Sequence, residues 1–215
     1  MEPKVKRGSS RLGLCSKPFR LFFIHTTTGL NLSHVLVYVD ELLVTGNDAT
    51  LIQTTRANLQ MKFKVKDLGE LGFFLGIEFA RSKAGISMNQ RKYAIDLIAD
   101  SGLGGDKPVS NPLECNQRLT RVEIDEVVVC TNADDSILGD PEPYQRLVGR
   151  LLYLTMTRPD LAYVVQVLSQ FMHNLKRSHM DAALRVIKYV KNAPGLGPLM
   201  SSEGSNNLVA YCDSD

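Results

Sequence analysis

The feature that most constrains this chain is an apolar run broken by two acids. His34-Val35-Leu36-Val37-Tyr38-Val39 leads into Asp40-Glu41, and Leu42-Leu43-Val44 follows. Short runs of β-branched and aromatic residues favour strands, and an ionised carboxylate is costly to bury without a partner. The pattern therefore predicts an antiparallel hairpin over residues 35–39 and 42–45, with Asp40 at its turn. A hairpin tip is a rigid place to hold carboxylates for metal-assisted chemistry, although two acids in a turn are more commonly ordinary solvated residues. Spacing alone leaves both readings open.

The rest of the chain alternates strand and helix signals. Gly46-Asn47-Asp48 supplies breaker and cap chemistry, and Leu51, Ile52, Leu59 and Phe63 recur at helical spacing, which predicts a helix over 48–61. Phe73 to Phe79 reads as a strand, and Ser82-Lys83-Ala84-Gly85 turns it into Ile86-Ser87-Met88, a second hairpin. Tyr93, Ala94, Leu97 and Ile98 mark one face of a short helix ending near Gly102. Residues 103–143 read as a surface linker, in which eight acids between Glu114 and Glu142 face only Arg118 and Arg121. Three helical patterns follow over 144–157, 161–173 and 178–191, whose packing should bury Leu151, Leu154, Val164, Leu168 and Ile187. On the last of them Arg185, Lys188 and Lys191 recur every three residues, either as a solvated face or as a contact to a phosphate backbone. Leu208 to Cys212 begins one more strand. The fold class expected is α+β.

Composition excludes several classes. Lys and Arg number 25 against 23 acids, so a net charge of +2 gives no global attraction to nucleic acid or to an acidic membrane surface. Cys15, Cys115, Cys130 and Cys212 lie far apart with no metal-ligand spacing, which argues against structural zinc. No signal peptide opens the chain, and its apolar clusters are far shorter than the roughly 20 residues of a membrane helix. An intracellular, non-secreted protein with no membrane partner is expected. The first twenty residues hold six basic side chains against Glu2, read as a solvated tail, with a nucleic-acid arm or an organelle transit peptide as functional alternatives. A phosphate loop over 102–108 lacks the Gly-Lys-Ser/Thr ending, and no hydrolase signature is present.

Ordered motifs carry a resemblance. Leu36-Val37-Tyr38-Val39-Asp40-Glu41-Leu42-Leu43-Val44-Thr45-Gly46 resembles the Tyr-Val-Asp-Asp hairpin of retroelement reverse transcriptases. Lys66-Asp67-Leu68-Gly69-Glu70-Leu71 with Phe74-Leu75-Gly76-Ile77-Glu78 is similar to the copia-type stretch leading into the primer grip. Gln145 to Leu154, Thr157-Arg158-Pro159-Asp160, Leu168 to Met172 and Ala182 to Tyr189 resemble the helical region that follows in that family. Ala210-Tyr211-Cys212-Asp213-Ser214-Asp215 is similar to the first strand of its ribonuclease H domain. The resemblance is to the copia-type LTR retrotransposon Pol polyprotein, in the C-terminal part of its reverse transcriptase.

That resemblance implies a division of the chain and a set of roles. Residues 1–33 would be a basic, poorly ordered segment, 34–102 a partial palm with the primer grip, 103–143 an acidic linker, 144–200 a helical thumb/connection-like region and 201–215 the start of a ribonuclease H domain. Asp40 would be a metal-binding catalytic carboxylate for Mg2+ or Mn2+, and Glu41 would stand in place of the second aspartate. Tyr38 would lie beside the primer terminus, and Phe74, Leu75 and Gly76 where an RNA/DNA template-primer is gripped. Asp213 would match the first ribonuclease H metal ligand.

Three departures imply that the chain does not polymerise. Glu41 replaces aspartate, no acid except Glu2 precedes Asp40 where the family takes another palm aspartate, and the sequence stops two residues after Asp213. Misplacing a carboxylate by about 1 Å can cost about a hundredfold in rate. The alternative expectation is a template-primer binding module without catalysis.

Overall fold

The computed structural model describes residues 21–28, 30–114, 119–120 and 135–203. Two compact units divide the chain, residues 1–75 and 76–215. The boundary falls inside the stretch grouped above as one palm domain.

In the first unit three antiparallel strands lie in chain order: β1 (Leu21–Thr28), β2 (Asn31–Tyr38) and β3 (Glu41–Gly46). β1 lies inside the segment that its basic composition had marked as poorly ordered. Apart from His25 its residues are apolar, aromatic or β-branched, and the six Lys and Arg side chains of that segment all precede Leu21. Pairing runs from Leu21 opposite Tyr38 to Thr28 opposite Asn31. The expected hairpin is present with Asp40 in its turn, but the turn residues are Val39 and Asp40, so Val39 leaves the first strand, Glu41 joins the second, and the strands close on the pair Tyr38–Glu41. Along β2, Ser33 and Val35 are buried two residues apart, the period of a strand with one covered face.

Helix α1 (Ala49–Lys62) begins where the cap chemistry predicts. The Asp48 carboxylate accepts from the Leu51 backbone N–H at 2.8 Å. The Ser33 and Thr55 hydroxyls meet at 3.4 Å, a polar contact between β2 and α1. At Gly46 a Cβ would fall 2.2 Å from the Leu32 carbonyl oxygen, which is why β3 ends on a residue without one. A two-residue strand, β4 (Phe73–Phe74), lies near the end of this unit.

The second unit opens with the other expected hairpin, β5 (Ile77–Ser82) and β6 (Gly85–Asn89), followed by α2 (Arg91–Asp100). A strand from much later in the chain, β7 (Leu199–Ser201), pairs with β6, placing Gly85 opposite Ser201. The expected strand over 208–212 lies outside the described residues.

Helices α3 (Glu142–Leu154), α4 (Ala162–Ser169) and α5 (Arg177–Val190) correspond to the three periodic patterns, and a short 3-10 turn, Pro159–Leu161, leads into α4. Together with α2 they enclose one core. Leu151, Leu154, Val164, Leu168 and Ile187, the five residues the periodicity selects, are all buried in it. Burial pushes the Tyr144 hydroxyl well above its usual pKa, and that hydroxyl donates to the Leu168 carbonyl at 2.7 Å.

One boundary differs from the periodic pattern. α4 ends at Ser169, four residues before the expected end at His173. Phe171 continues the apolar spacing but leaves the helix to stack on the His179 ring, with centroids 4.0 Å apart. His179 is itself fixed, its Nδ1 accepting from the Lys176 backbone N–H at 3.2 Å at the start of α5. The described residues therefore form an α+β fold of two small antiparallel sheets and five α-helices.

Candidate active site

The geometry of the hairpin tip follows from a two-residue turn. Val39 has φ +52° while Asp40 keeps a negative φ, the pattern of a type II′ turn. Glycine is the usual residue at that first position, and a β-branched side chain there is strained. The turn leaves Tyr38, Val39 and Asp40 exposed. No hydrogen bond to the Asp40 carboxylate is seen among the described residues.

Glu41 behaves differently. It is half-buried, and its Oε2 accepts from the Leu75 backbone N–H at 2.8 Å. Leu75 holds φ +52°, and the adjoining Phe74 side chain is buried. Of the residues singled out in the sequence, the structure thus joins Glu41 to Leu75 and leaves Tyr38 and Asp40 at the open tip. Gly76 opens the second unit at φ +73°, where an added Cβ would stand 2.8 Å from the Tyr153 hydroxyl. Asp213 lies outside the described residues.

The stretch between α1 and β4 is fixed by Asp67. Its Oδ1 accepts from the Gly69 N–H at 2.8 Å, a turn that Asp-x-Gly chemistry encodes, and its Oδ2 pairs with Arg56 of α1. These bonds, the one from Gly69 foremost, hold the Asp67 carboxyl below its usual pKa.

The available donors set what chemistry the tip can support. Among the described residues no three His, Cys, Asp or Glu side chains converge as a metal-holding group. The tip offers the Asp40 carboxylate and the Glu41 oxygen not engaged by Leu75. One or two carboxylates suffice for a single magnesium ion that keeps water and substrate phosphates as its other ligands. A two-ion clamp for nucleotidyl transfer requires more donors, so the residues described do not fit it by themselves.

The basic stripe on α5 is a partly exposed face whose cations are already paired. Arg185 pairs with Glu114 at 2.8 Å and Lys188 with Asp106 at 2.7 Å, while the Lys191 ammonium donates to the carbonyls of Leu103 and Asp106 at 3.1 and 2.6 Å. The Lys188 bond, above all, holds the Asp106 carboxyl below its usual pKa. Residues 103–114 occupy these cations, which sequence spacing could not reveal.

Comparison with known proteins decides the family. A family model described as reverse transcriptase (RNA-dependent DNA polymerase) matches residues 21–115, a span that holds the hairpin, Glu41 and Leu75. The chain is 38% identical over 187 residues to the retrovirus-related Pol polyprotein from transposon RE1 of Arabidopsis thaliana, covering 87% of this chain and 12% of that polyprotein. It is 33% identical over 182 residues to an uncharacterized mitochondrial protein of Arabidopsis thaliana, covering 85% of this chain and 71% of the relative. The chain belongs to the copia-type reverse transcriptase family. The Pol polyprotein from transposon TNT 1-94 of Nicotiana tabacum matches at 30% identity, with 13% of its length covered. The chain thus spans a small part of the copia-type polyproteins that it matches. No solved structure matches it. Reverse transcriptases in general act on a nucleic-acid template-primer and use divalent metal ions, and no described helix here is long and apolar enough to cross a membrane.

Proposed function

We propose that residues 21–75 hold the catalytic palm hairpin and the start of the primer grip of an RNA-directed DNA polymerase. Residues 142–190 form its helical thumb/connection-like region. Asp40 is the metal-binding carboxylate, and Tyr38 lies beside the primer terminus of an RNA or DNA template-primer. The observation that carries this reading is the hairpin tip itself, where a strained turn at Val39 presents Asp40 to solvent between two paired strands. Phe74, Leu75 and Gly76 are the primer-gripping residues, supported by the positive φ values that Leu75 and Gly76 each carry.

The chain on its own does not extend primers. The donor set described above supports this, because β1, the strand beside β2, adds no carboxylate to Asp40 and Glu41. Purified 215-residue chain given template-primer, nucleotides and Mg2+ or Mn2+ is expected to show no extension above background, before or after Glu41→Asp. Extension by the unmodified chain that disappears on Asp40→Ala would overturn that expectation.

A further inference from the structure

Glu41 stands where the family pattern has a second aspartate, which invites a metal-ligand role for it. Its surroundings support another. Glu41 opens β3 opposite Tyr38, is half-buried, and sends Oε2 to the Leu75 backbone N–H at 2.8 Å. A bond from a backbone N–H to an ionised carboxylate is among the stronger hydrogen bonds. It terminates on a leucine held at φ +52°, a conformation that persists only where the surroundings impose it. The neighbouring Asp40 makes no such bond among the described residues and faces solvent.

We infer that Glu41 is a positioning residue whose carboxylate ties the hairpin tip to the turn at Phe74–Leu75. The extra methylene supplies the reach. Aspartate at this position is shorter by one carbon–carbon bond and does not span the gap without moving a strand. Glutamine has the same length, and its amide oxygen still accepts the Leu75 N–H. Metal ligation reverses that order, because a hard cation favours the shorter carboxylate over a neutral amide. The two roles therefore rank the same two substitutions oppositely. The tether deepens the polymerase reading of the tip, on which its functional meaning rests, but the bond itself can be measured independently of that reading.

The test uses the full chain, labelled with 15N, in four forms: unchanged, Glu41→Gln, Glu41→Asp and Glu41→Ala. Amide exchange at Leu75 is expected to be slow in the unchanged and glutamine forms, and about tenfold faster in the aspartate and alanine forms, as loss of one such bond implies. In a titration with Mn2+ alone, broadening of the Val39–Asp40 resonances is expected to survive Glu41→Gln and to vanish with Asp40→Asn. Equal Leu75 exchange in the unchanged, aspartate and alanine forms overturns the tether. Broadening lost with glutamine but kept with aspartate restores the metal-ligand role. Broadening indifferent to Asp40→Asn counts against Asp40 as the metal carboxylate, while the exchange ranking still decides the role of Glu41.

Discussion

Replacing Arg158 by leucine is expected to destabilise the second unit by about 3 kcal/mol. The Arg158 side chain is only 2% exposed and is held from three sides. Its Nε and Nη2 donate to the two Asp160 oxygens at 2.9 and 2.7 Å, and its Nη1 donates to the Ala193 carbonyl at 3.2 Å. Its guanidinium also lies 5.5 Å from the centre of the Tyr189 ring, whose hydroxyl donates to Asp160 at 3.1 Å. One residue thereby fastens the 3-10 turn to the end of α5. Breaking a buried pair from one side costs about 3–5 kcal/mol, and the low end applies because the Asp160 side chain is 33% exposed and can take up water.

The same pair gives a pH signature. Chiefly through its bonds to Arg158, the Asp160 carboxyl is held below its usual pKa of 3.8. Its stabilising contribution is therefore present above that value and is lost as pH falls through the lower, folded-state pKa. Urea unfolding followed by helical circular dichroism should show the loss, and Arg158→Leu should remove this part of the acid dependence. A change below about 1 kcal/mol would mean that the Asp160 and Ala193 contacts hold little of the unit together.

The second large effect is expected at Leu151, where truncation to alanine should cost about 3 kcal/mol. Leu151 is 0% exposed on the face of α3 that meets the other helices, whereas Leu152, one position on, is 45% exposed. Leu152→Ala should therefore change stability by no more than about 0.5 kcal/mol. The pair controls for helix propensity, since both changes put alanine in the same turn. Similar costs at the two positions would place the core on a different face of α3.

Where structure is set by local patterning, the sequence was readable. Of the two acids inside the apolar run, Asp40 turns outward at the Val39-Asp40 turn as the pattern predicts, whereas Glu41 enters β3 half-buried. The 3.6-residue spacing of Leu151, Leu154, Val164 and Leu168 marked the faces that meet in the core. What was not readable depends on partners distant in sequence. β7 meets β6 more than a hundred residues earlier, and no composition signal announces a three-residue strand. β1 was hidden because a basic tail precedes it and dominates the local charge. The α5 cations repeat as a phosphate-binding stripe would, and only the fold brings Glu114 and Asp106 to them. At the candidate site, position and residue type were visible for Asp40, whereas the bond from Leu75 to Glu41 joins residues 34 positions apart and leaves no trace in spacing.

The central claim, that Asp40 occupies the polymerase metal position at the hairpin tip, is tested most directly by transplantation. Residues 21–115, the span that matches the reverse transcriptase model, would replace the corresponding stretch of an active copia-type reverse transcriptase, and primer extension would be measured with Mg2+. The chimera is expected to extend primer, and Asp40→Asn is expected to bring that extension to background. Extension that proceeds equally well after Asp40→Asn would contradict the assignment, because the metal-binding carboxylate would then lie elsewhere.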